Sequence, residues 1–142
     1  MINRTIKTTI LECIKNKPVT LITGSRQVGK STLCYSLKQE IGFNYVSLDD
    51  LRERNLAIND PEMFLKLHQW PLIIDEVQYA PKLFEVIEAI VNKEKLEKGN
   101  NYGMFILTGS QTYELMEGVT QSLAGRVAVM RMSPLSTREV YN

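Results

Sequence analysis

Cysteine is scarce in this chain. Among 142 residues there are two, Cys13 and Cys34, and their separation fits neither a metal-binding nor a redox motif. A reduced, cytoplasmic protein is therefore expected. An excess of charge is also lacking, because 17 Lys and Arg residues against 16 Asp and Glu residues leave a formal net charge of +1. This balance excludes a strongly basic nucleic-acid footprint, although a local basic patch is still compatible with it.

Long apolar runs are missing as well. The longest runs span only a few residues, so no membrane-spanning segment is predicted. The N-terminal stretch MINRTIKTTILECIKNK contains no apolar core of a signal peptide. No repeat, low-complexity tract or Pro/Gly/Ser-rich linker divides the chain. With 44% hydrophobic and 23% charged residues, residues 1–142 are expected to form a single domain.

Short apolar runs alternate with amphipathic segments along the chain. Strands are predicted over Val19–Thr23, Phe43–Leu48, Leu72–Ile74, Gly103–Thr108 and Val127–Met132. Helices are predicted over Thr5–Lys15 and Lys30–Ile41, after the cap Asp50, after Asp60-Pro61 and from Pro81. The polar segment KEKLEKGNN is expected to be a surface connection. This order predicts an α/β sandwich whose parallel sheet is covered by helices on both faces.

A capping box lies near the end of the chain. Ser136-Thr-Arg-Glu139 matches this pattern, which predicts the start of a helix. The sequence ends three residues later, at Asn142. We therefore expect the chain to be a fragment of a longer protein.

A glycine-rich loop follows the first predicted strand. Residues 24–31, GSRQVGKS, fit the pattern G-x-x-x-x-G-K-[ST] between a buried strand and an amphipathic helix. In this pattern the backbone N–H groups surround a phosphate chain, the lysine reaches the β- and γ-phosphates, and the final hydroxyl coordinates Mg²⁺. The alternative is a glycine-rich turn beside a surface lysine, which the strand and helix on either side disfavour. The residues predicted to bind the nucleotide are Gly24, Ser25, Arg26, Gln27, Val28, Gly29, Lys30, Ser31 and Thr32.

Two carboxylates, Asp75 and Glu76, follow the third apolar run. Ligands of an open α/β sheet lie beyond the carboxyl ends of its strands, so this pair is expected to face the glycine-rich loop. Asp75 is placed to hold Mg²⁺, and Glu76 to orient or deprotonate a water that attacks the γ-phosphoryl group. A second carboxylate directly after the Mg²⁺ aspartate favours hydrolysis over phosphoryl transfer to a small substrate. The alternative is a solvated acidic strand end.

Polar residues also end the fourth predicted strand. Ser110 is the first candidate for a side chain that reaches between the γ-phosphate and the attacking water, with Thr108 and Gln111 as alternatives. Turn or N-cap chemistry would explain the same residues without catalysis. Arg126 immediately precedes the fifth strand, where an arginine can act on the γ-phosphate of a neighbouring subunit. Spacing alone favours an ordinary surface arginine.

In combination these motifs resemble those of a known family. The segments TGSRQVGKSTL, LDD, PLIIDEVQYAP, FILTGSQ and SLAGRV, the last ahead of MSPLS, are similar to the bacterial and archaeal AAA-type ATPases with a DEVQ Walker B motif. The resemblance implies a P-loop NTPase fold with strand order 5-1-4-3-2. It also implies that Ser110 is the first sensor and that Arg126 acts in trans within a homo-oligomer. Gln78 and the following Tyr79-Ala80-Pro81 also look like family features, and no chemical role is assigned to them.

The resemblance is incomplete at the C-terminus, because such ATPases normally continue into a small helical lid and often into a further domain. We expect the nucleotide-binding core of an ATPase that binds ATP or ADP and uses Mg²⁺. The second hypothesis is a conformational switch that holds ATP and rarely hydrolyses it. A small-molecule kinase is a weaker third hypothesis, because no arginine cluster follows the third strand. His68 is expected to be structural or exposed, and Cys34 to be a buried small hydrophobe.

Overall fold

A five-stranded parallel sheet forms the centre of the molecule. The computed structural model describes residues 4–24 and 30–132. The strands pair in the order β2-β3-β4-β1-β5, which confirms the expected order 5-1-4-3-2 read from the other edge. Their bounds are Val19–Thr23 (β1), Asn44–Ser47 (β2), Leu72–Asp75 (β3), Phe105–Gly109 (β4) and Val127–Arg131 (β5). The strand β4 thus separates β1 from β3, although both precede it in the chain.

Helices cover both faces of the sheet. Those in the described residues are Arg4–Asn16 (α1), Lys30–Ile41 (α2), Leu51–Asn59 (α3), Pro61–Leu67 (α4), Leu83–Lys98 (α5) and Tyr113–Leu123 (α6). Because strand side chains alternate between faces, Ile22, Ile73 and Ile106 pack with α1 and α2. Their strand neighbours pack with the other four helices. The result is the predicted three-layer α/β sandwich.

Parallel pairing brings the ends of all five strands to one edge of the sheet, which we call the carboxyl edge. The registers pair Thr23 with Gly109 and Ser47 with Asp75. The helix α2 begins at the same edge, since it follows β1 after a short connection. The carboxyl edge therefore brings the strand ends and the N-terminus of α2 into one region.

Several helix ends follow the local sequence signals. The Asp50 side chain accepts hydrogen bonds from the N–H groups of Arg52 and Glu53, as expected of an N-cap. Asp60 caps α4 in the same way, with a proline in its first turn. The capping box Ser136–Glu139 lies outside the described residues.

One sequence-based expectation about helices was wrong, and one helix was not predicted. The segment KEKLEKGNN is not a connection, because its first six residues, Lys93–Lys98, complete α5. The helix continues until Gly99, whose positive φ of 76° ends it with a left-handed cap. The helix α6 was not predicted, although Thr112 caps it and three of its apolar residues, Leu115, Val119 and Leu123, are buried.

Candidate functional site

The glycine-rich loop lies largely outside the described residues. Ser25, Arg26, Gln27, Val28 and Gly29 belong to the undescribed part, as does the side chain of Ser31. On either side, Gly24 is buried directly after β1, and Lys30 opens α2. Thr32, in the first turn of α2, is exposed.

Lys30 is a buried cation at the start of α2. Its residue is only 2% exposed, which makes it one of the largest fully buried residues. A lysine side chain is rarely enclosed unless neighbouring groups compensate its charge. A cation at this end of a helix also adds to the positive end of the helix dipole, so the position attracts anions.

Cys34 lies one turn further along α2, and the pKa of its thiol depends on the charges around it. Burial raises the pKa of its thiol, the carboxylates of Asp75 and Glu76 raise it further, and the Lys30 ammonium lowers it. The thiol is fully buried, as expected from the sequence. Lys30, Asp75 and Glu76 therefore lie within electrostatic range of one point beneath the carboxyl edge.

Asp75 ends β3 and is 2% exposed. One carboxylate oxygen, Oδ2, accepts a hydrogen bond from the Tyr45 hydroxyl on the neighbouring strand at 2.8 Å. The other, Oδ1, accepts one from the Thr108 hydroxyl on β4. Burial and the neighbouring carboxylate raise the pKa of Tyr45, so this phenol stays a hydrogen-bond donor. The aspartate is held from both adjacent strands.

Glu76 has an uncommon backbone conformation. Its φ of 60° and ψ of 49° lie in the left-handed region, and the residue is 3% exposed. Its N–H donates to the Thr108 hydroxyl at 3.1 Å. The Nε2 amide of Gln78 donates to the Glu76 carboxylate at 3.3 Å. A non-glycine residue stays in this region only where its surroundings hold it there, and such residues are concentrated at functional sites.

The three candidates at the end of β4 occupy different environments. Thr108 is fully buried and hydrogen-bonds to both acidic residues, through its donor to Asp75 and its acceptor to Glu76. Ser110 is half-buried directly after the strand, and Gln111 is exposed. Among these three, Thr108 is the residue that the structure brings into contact with the acidic pair.

Arg126 lies at the opposite edge of the sheet. It precedes β5, and five residues of strand, about 16 Å, separate the two ends of β5. Its Nε donates to Asn92 Oδ1 at 2.7 Å, and its guanidinium lies 3.9 Å from the Glu88 carboxylate. This arginine therefore cannot reach the acidic pair of its own chain.

Two residues of this region were not assigned roles from the sequence. Tyr45 was placed only in a strand, yet its hydroxyl holds Asp75. Gln78 was noticed as part of the DEVQ segment, and the structure places its amide on Glu76. His68, expected to be structural or exposed, lies 2.9 Å from the Glu53 carboxylate, away from this site.

The chemistry of Asp75 suits Mg²⁺. This ion usually retains several waters and takes one or two protein carboxylates together with substrate phosphates. A single buried aspartate, each of whose oxygens already accepts a hydrogen bond, fits a contact through water. Within residues 4–24 and 30–132 no three His, Cys, Asp or Glu side chains form a further metal-binding group. No helix in the same ranges is both long and apolar enough to cross a membrane.

Two curated mycobacterial proteins are similar to this chain in sequence. The chain is 32% identical over 124 residues to the uncharacterized protein Mb2031c of Mycobacterium bovis and, equally, to Rv2008c of Mycobacterium tuberculosis. Each match covers 87% of this chain but 26% of the relative, so the chain spans about a quarter of the length of these curated relatives.

A solved structure shares the fold. The Walker-type ATPase PABY2304 of Pyrococcus abyssi aligns with a TM-score of 0.50 and 19% identity, over 94% of this chain and 54% of that chain. At this identity the likeness concerns the fold alone. A family model described as an AAA domain, AAA_14, matches residues 16–141. The chain therefore belongs to the AAA domain family of AAA-type P-loop ATPases.

Proposed function

We propose that this chain binds ATP together with Mg²⁺ and hydrolyses the bond between the β- and γ-phosphates. The observation that carries the proposal is the arrangement of Asp75 and Glu76. Both are almost fully buried at the carboxyl edge, and the Thr108 hydroxyl donates to the Asp75 carboxylate and accepts from the backbone N–H of Glu76. A buried lysine, Lys30, lies within electrostatic range of the same region. A buried cation in the same region as two buried carboxylates suits the binding of a metal–phosphate complex.

The phosphates of ATP are bound by the connection between β1 and α2 and by the first turn of α2. The loop from Gly24 to Gly29 supplies backbone N–H groups, and Lys30 neutralises charge on the β- and γ-phosphate oxygens. Ser31 and Asp75 would hold Mg²⁺, which when bound neutralises the charge that develops on the transferred phosphoryl group. Thr32 lies in the first turn of α2 and completes the phosphate-binding segment.

Glu76 is the general base of the proposed reaction. Its carboxylate accepts a proton from a water whose oxygen bonds to the γ-phosphorus. The bond from that phosphorus to the bridging oxygen breaks, and the electron pair leaves with ADP. Ser110 contacts the γ-phosphate as the first sensor. Thr108 holds Asp75 and the backbone of Glu76 in fixed positions relative to each other. Arg126 acts on the γ-phosphate of a neighbouring copy.

Replacement of Glu76 by Gln tests the proposal. The substitution keeps the size of the side chain and removes its capacity to accept the proton. Because general-base catalysis contributes about 10²–10⁴-fold, we expect kcat for phosphate release from Mg-ATP to fall by at least about 100-fold. Binding of a fluorescent ATP analogue, measured by anisotropy with Mg²⁺ present, is expected to stay within about threefold of wild type, since Glu76 does not hold the phosphates.

A matched control is available on α5. Glu97 is exposed, so Glu97→Gln makes the same change of charge far from the carboxyl edge and is expected to retain wild-type turnover. Turnover that survives in Glu76→Gln would contradict the assignment of the base. A wild-type chain that binds the analogue tightly but releases no phosphate would instead support the switch hypothesis.

A further inference from the structure

Gln78 lies two residues after Glu76, in a 3₁₀ turn over Val77–Tyr79. The amide Nε2 of Gln78 donates to Glu76 Oε1 at 3.3 Å. Its carbonyl oxygen Oε1 is buried and has no hydrogen-bond partner within the part of the chain that the structure describes. A buried acceptor without a partner is unfavourable, and such a group in a native fold calls for a reason.

The orientation of this amide follows from chemistry. An ionised carboxylate only accepts hydrogen bonds, so the NH₂ end of Gln78 must face Glu76. Reversal of the amide would place its oxygen against the carboxylate and leave the nitrogen enclosed instead. The observed orientation satisfies the charged group and leaves the neutral oxygen unpaired.

The neighbouring strand makes room for this amide. A Cβ atom built at Gly109 would lie 2.8 Å from Gln78 Oε1 and 3.0 Å from Leu115 Cδ2. The backbone of Gly109 is not in the left-handed region, so any residue could adopt its conformation. A larger residue at this position would therefore displace the Gln78 amide or Leu115, which fill the space beside Gly109.

We propose that Gln78 is a positioning residue that holds the Glu76 carboxylate for proton transfer. This inference rests on the proposed hydrolysis. A glutamate side chain rotates about three bonds, and a general base must lie within hydrogen-bond reach of the water it deprotonates. A neutral amide donor fixes one carboxylate oxygen, and the second oxygen serves as the base. The unpaired carbonyl is the cost of that restraint.

Gln78→Met separates positioning from a structural role. Methionine has a similar length and volume, so it fills the same space. It has no N–H donor for the Glu76 carboxylate and no amide carbonyl that would need a partner. We expect kcat for Mg-ATP hydrolysis to fall at least about tenfold, because small misplacement of a catalytic group has large effects on rate. The affinity for the fluorescent ATP analogue is expected to stay within about threefold. The melting temperature is expected to change by only a few degrees, because loss of the hydrogen bond to Glu76 is partly offset by removal of the unpaired Gln78 carbonyl.

Two further variants complete the experiment on the 142-residue chain. Gly109→Ala displaces the amide from the opposite side and is expected to lower kcat in the same way, with analogue binding retained. Gln121→Met makes the same chemical change at an exposed position of α6 and is expected to match wild type.

The results distinguish failure of the proposed hydrolysis from failure of the proposed role of Gln78. If Glu76→Gln abolishes turnover and Gln78→Met retains it, hydrolysis stands and the positioning role is overturned. Loss of kcat in Gln78→Met together with loss of analogue binding and a much lower melting temperature would also overturn it, in favour of a structural role. If wild type binds the analogue but releases no phosphate, the hydrolysis and the positioning role both fail.

Discussion

At the scale of single residues, the Thr108 hydroxyl connects the two acidic residues of the site. It donates to Asp75 and accepts from the N–H of Glu76. Thr108→Val keeps the shape of the side chain but removes one hydrogen bond from the Asp75 carboxylate and one from the Glu76 N–H. Because removal of one partner from a buried polar group costs about 1–3 kcal/mol, we expect the free energy of unfolding to fall by about that amount in urea titrations. Thr108→Ser retains the hydroxyl and is expected to lose less. Equal losses in the two variants would contradict this account.

The acidic residues could be predicted from the sequence, whereas their partners could not. Asp75 and Glu76 follow an apolar run, and strand ends of parallel sheets lie at one edge, so local pattern was sufficient. The contact between Tyr45 and Asp75 depends on the register that pairs Tyr45 with Ile73, which joins residues far apart in the chain. The same limit explains why the contacts of Thr108 with the acidic pair were not predicted, since only the sheet defines which side chain at the end of β4 faces Asp75. The assignment of Ser110 as sensor stays a prediction.

At the scale of elements, the strands were more predictable than the helices. Each strand is a short apolar run between turn residues, and all five were located within about two residues of their observed ends. The helix α6 was not predicted because Gly118 interrupts its pattern of apolar residues. A Cβ at Gly118 would lie 3.0 Å from Phe84, so this glycine permits a close approach of α5 and α6. Tertiary packing, which the local pattern does not contain, explains the residue.

The end of α5 gives a testable consequence of its corrected length. Gly99 caps the helix with a φ of 76°, and a Cβ there would meet no atom within 4 Å. Gly99→Ala therefore introduces backbone strain without a steric clash. We expect it to lower the free energy of unfolding by about 1–2 kcal/mol in urea titrations. Gly99→Asn is expected to lose less, because asparagine tolerates the left-handed region. A Gly99→Ala variant as stable as wild type would mean that α5 ends elsewhere.

At the scale of the whole molecule, the two edges of the sheet separate Arg126 from the acidic pair. The arginine is bonded to Asn92 and the Ala124 carbonyl at the edge where β5 begins. Any action of Arg126 on a γ-phosphate must therefore take place on another copy of the chain. The consequence is that each complete site would need two subunits, one that supplies Glu76 and one that supplies Arg126.

Mixing two inactive variants tests this arrangement. A Glu76→Gln subunit lacks the base but keeps its arginine, whereas an Arg126→Ala subunit lacks the arginine but keeps its base. If Arg126 acts in trans, each variant alone is expected to release little phosphate, and their mixture to regain activity that rises with protein concentration. Loss of an arginine finger costs about 10³–10⁵-fold in related reactions, so the recovered signal would be easily distinguished. Circular dichroism melting of Arg126→Ala controls for the lost bond to Asn92. Wild-type turnover in Arg126→Ala, or a mixture as inactive as its parts, would identify Arg126 as a surface residue that serves only the packing between α5 and β5.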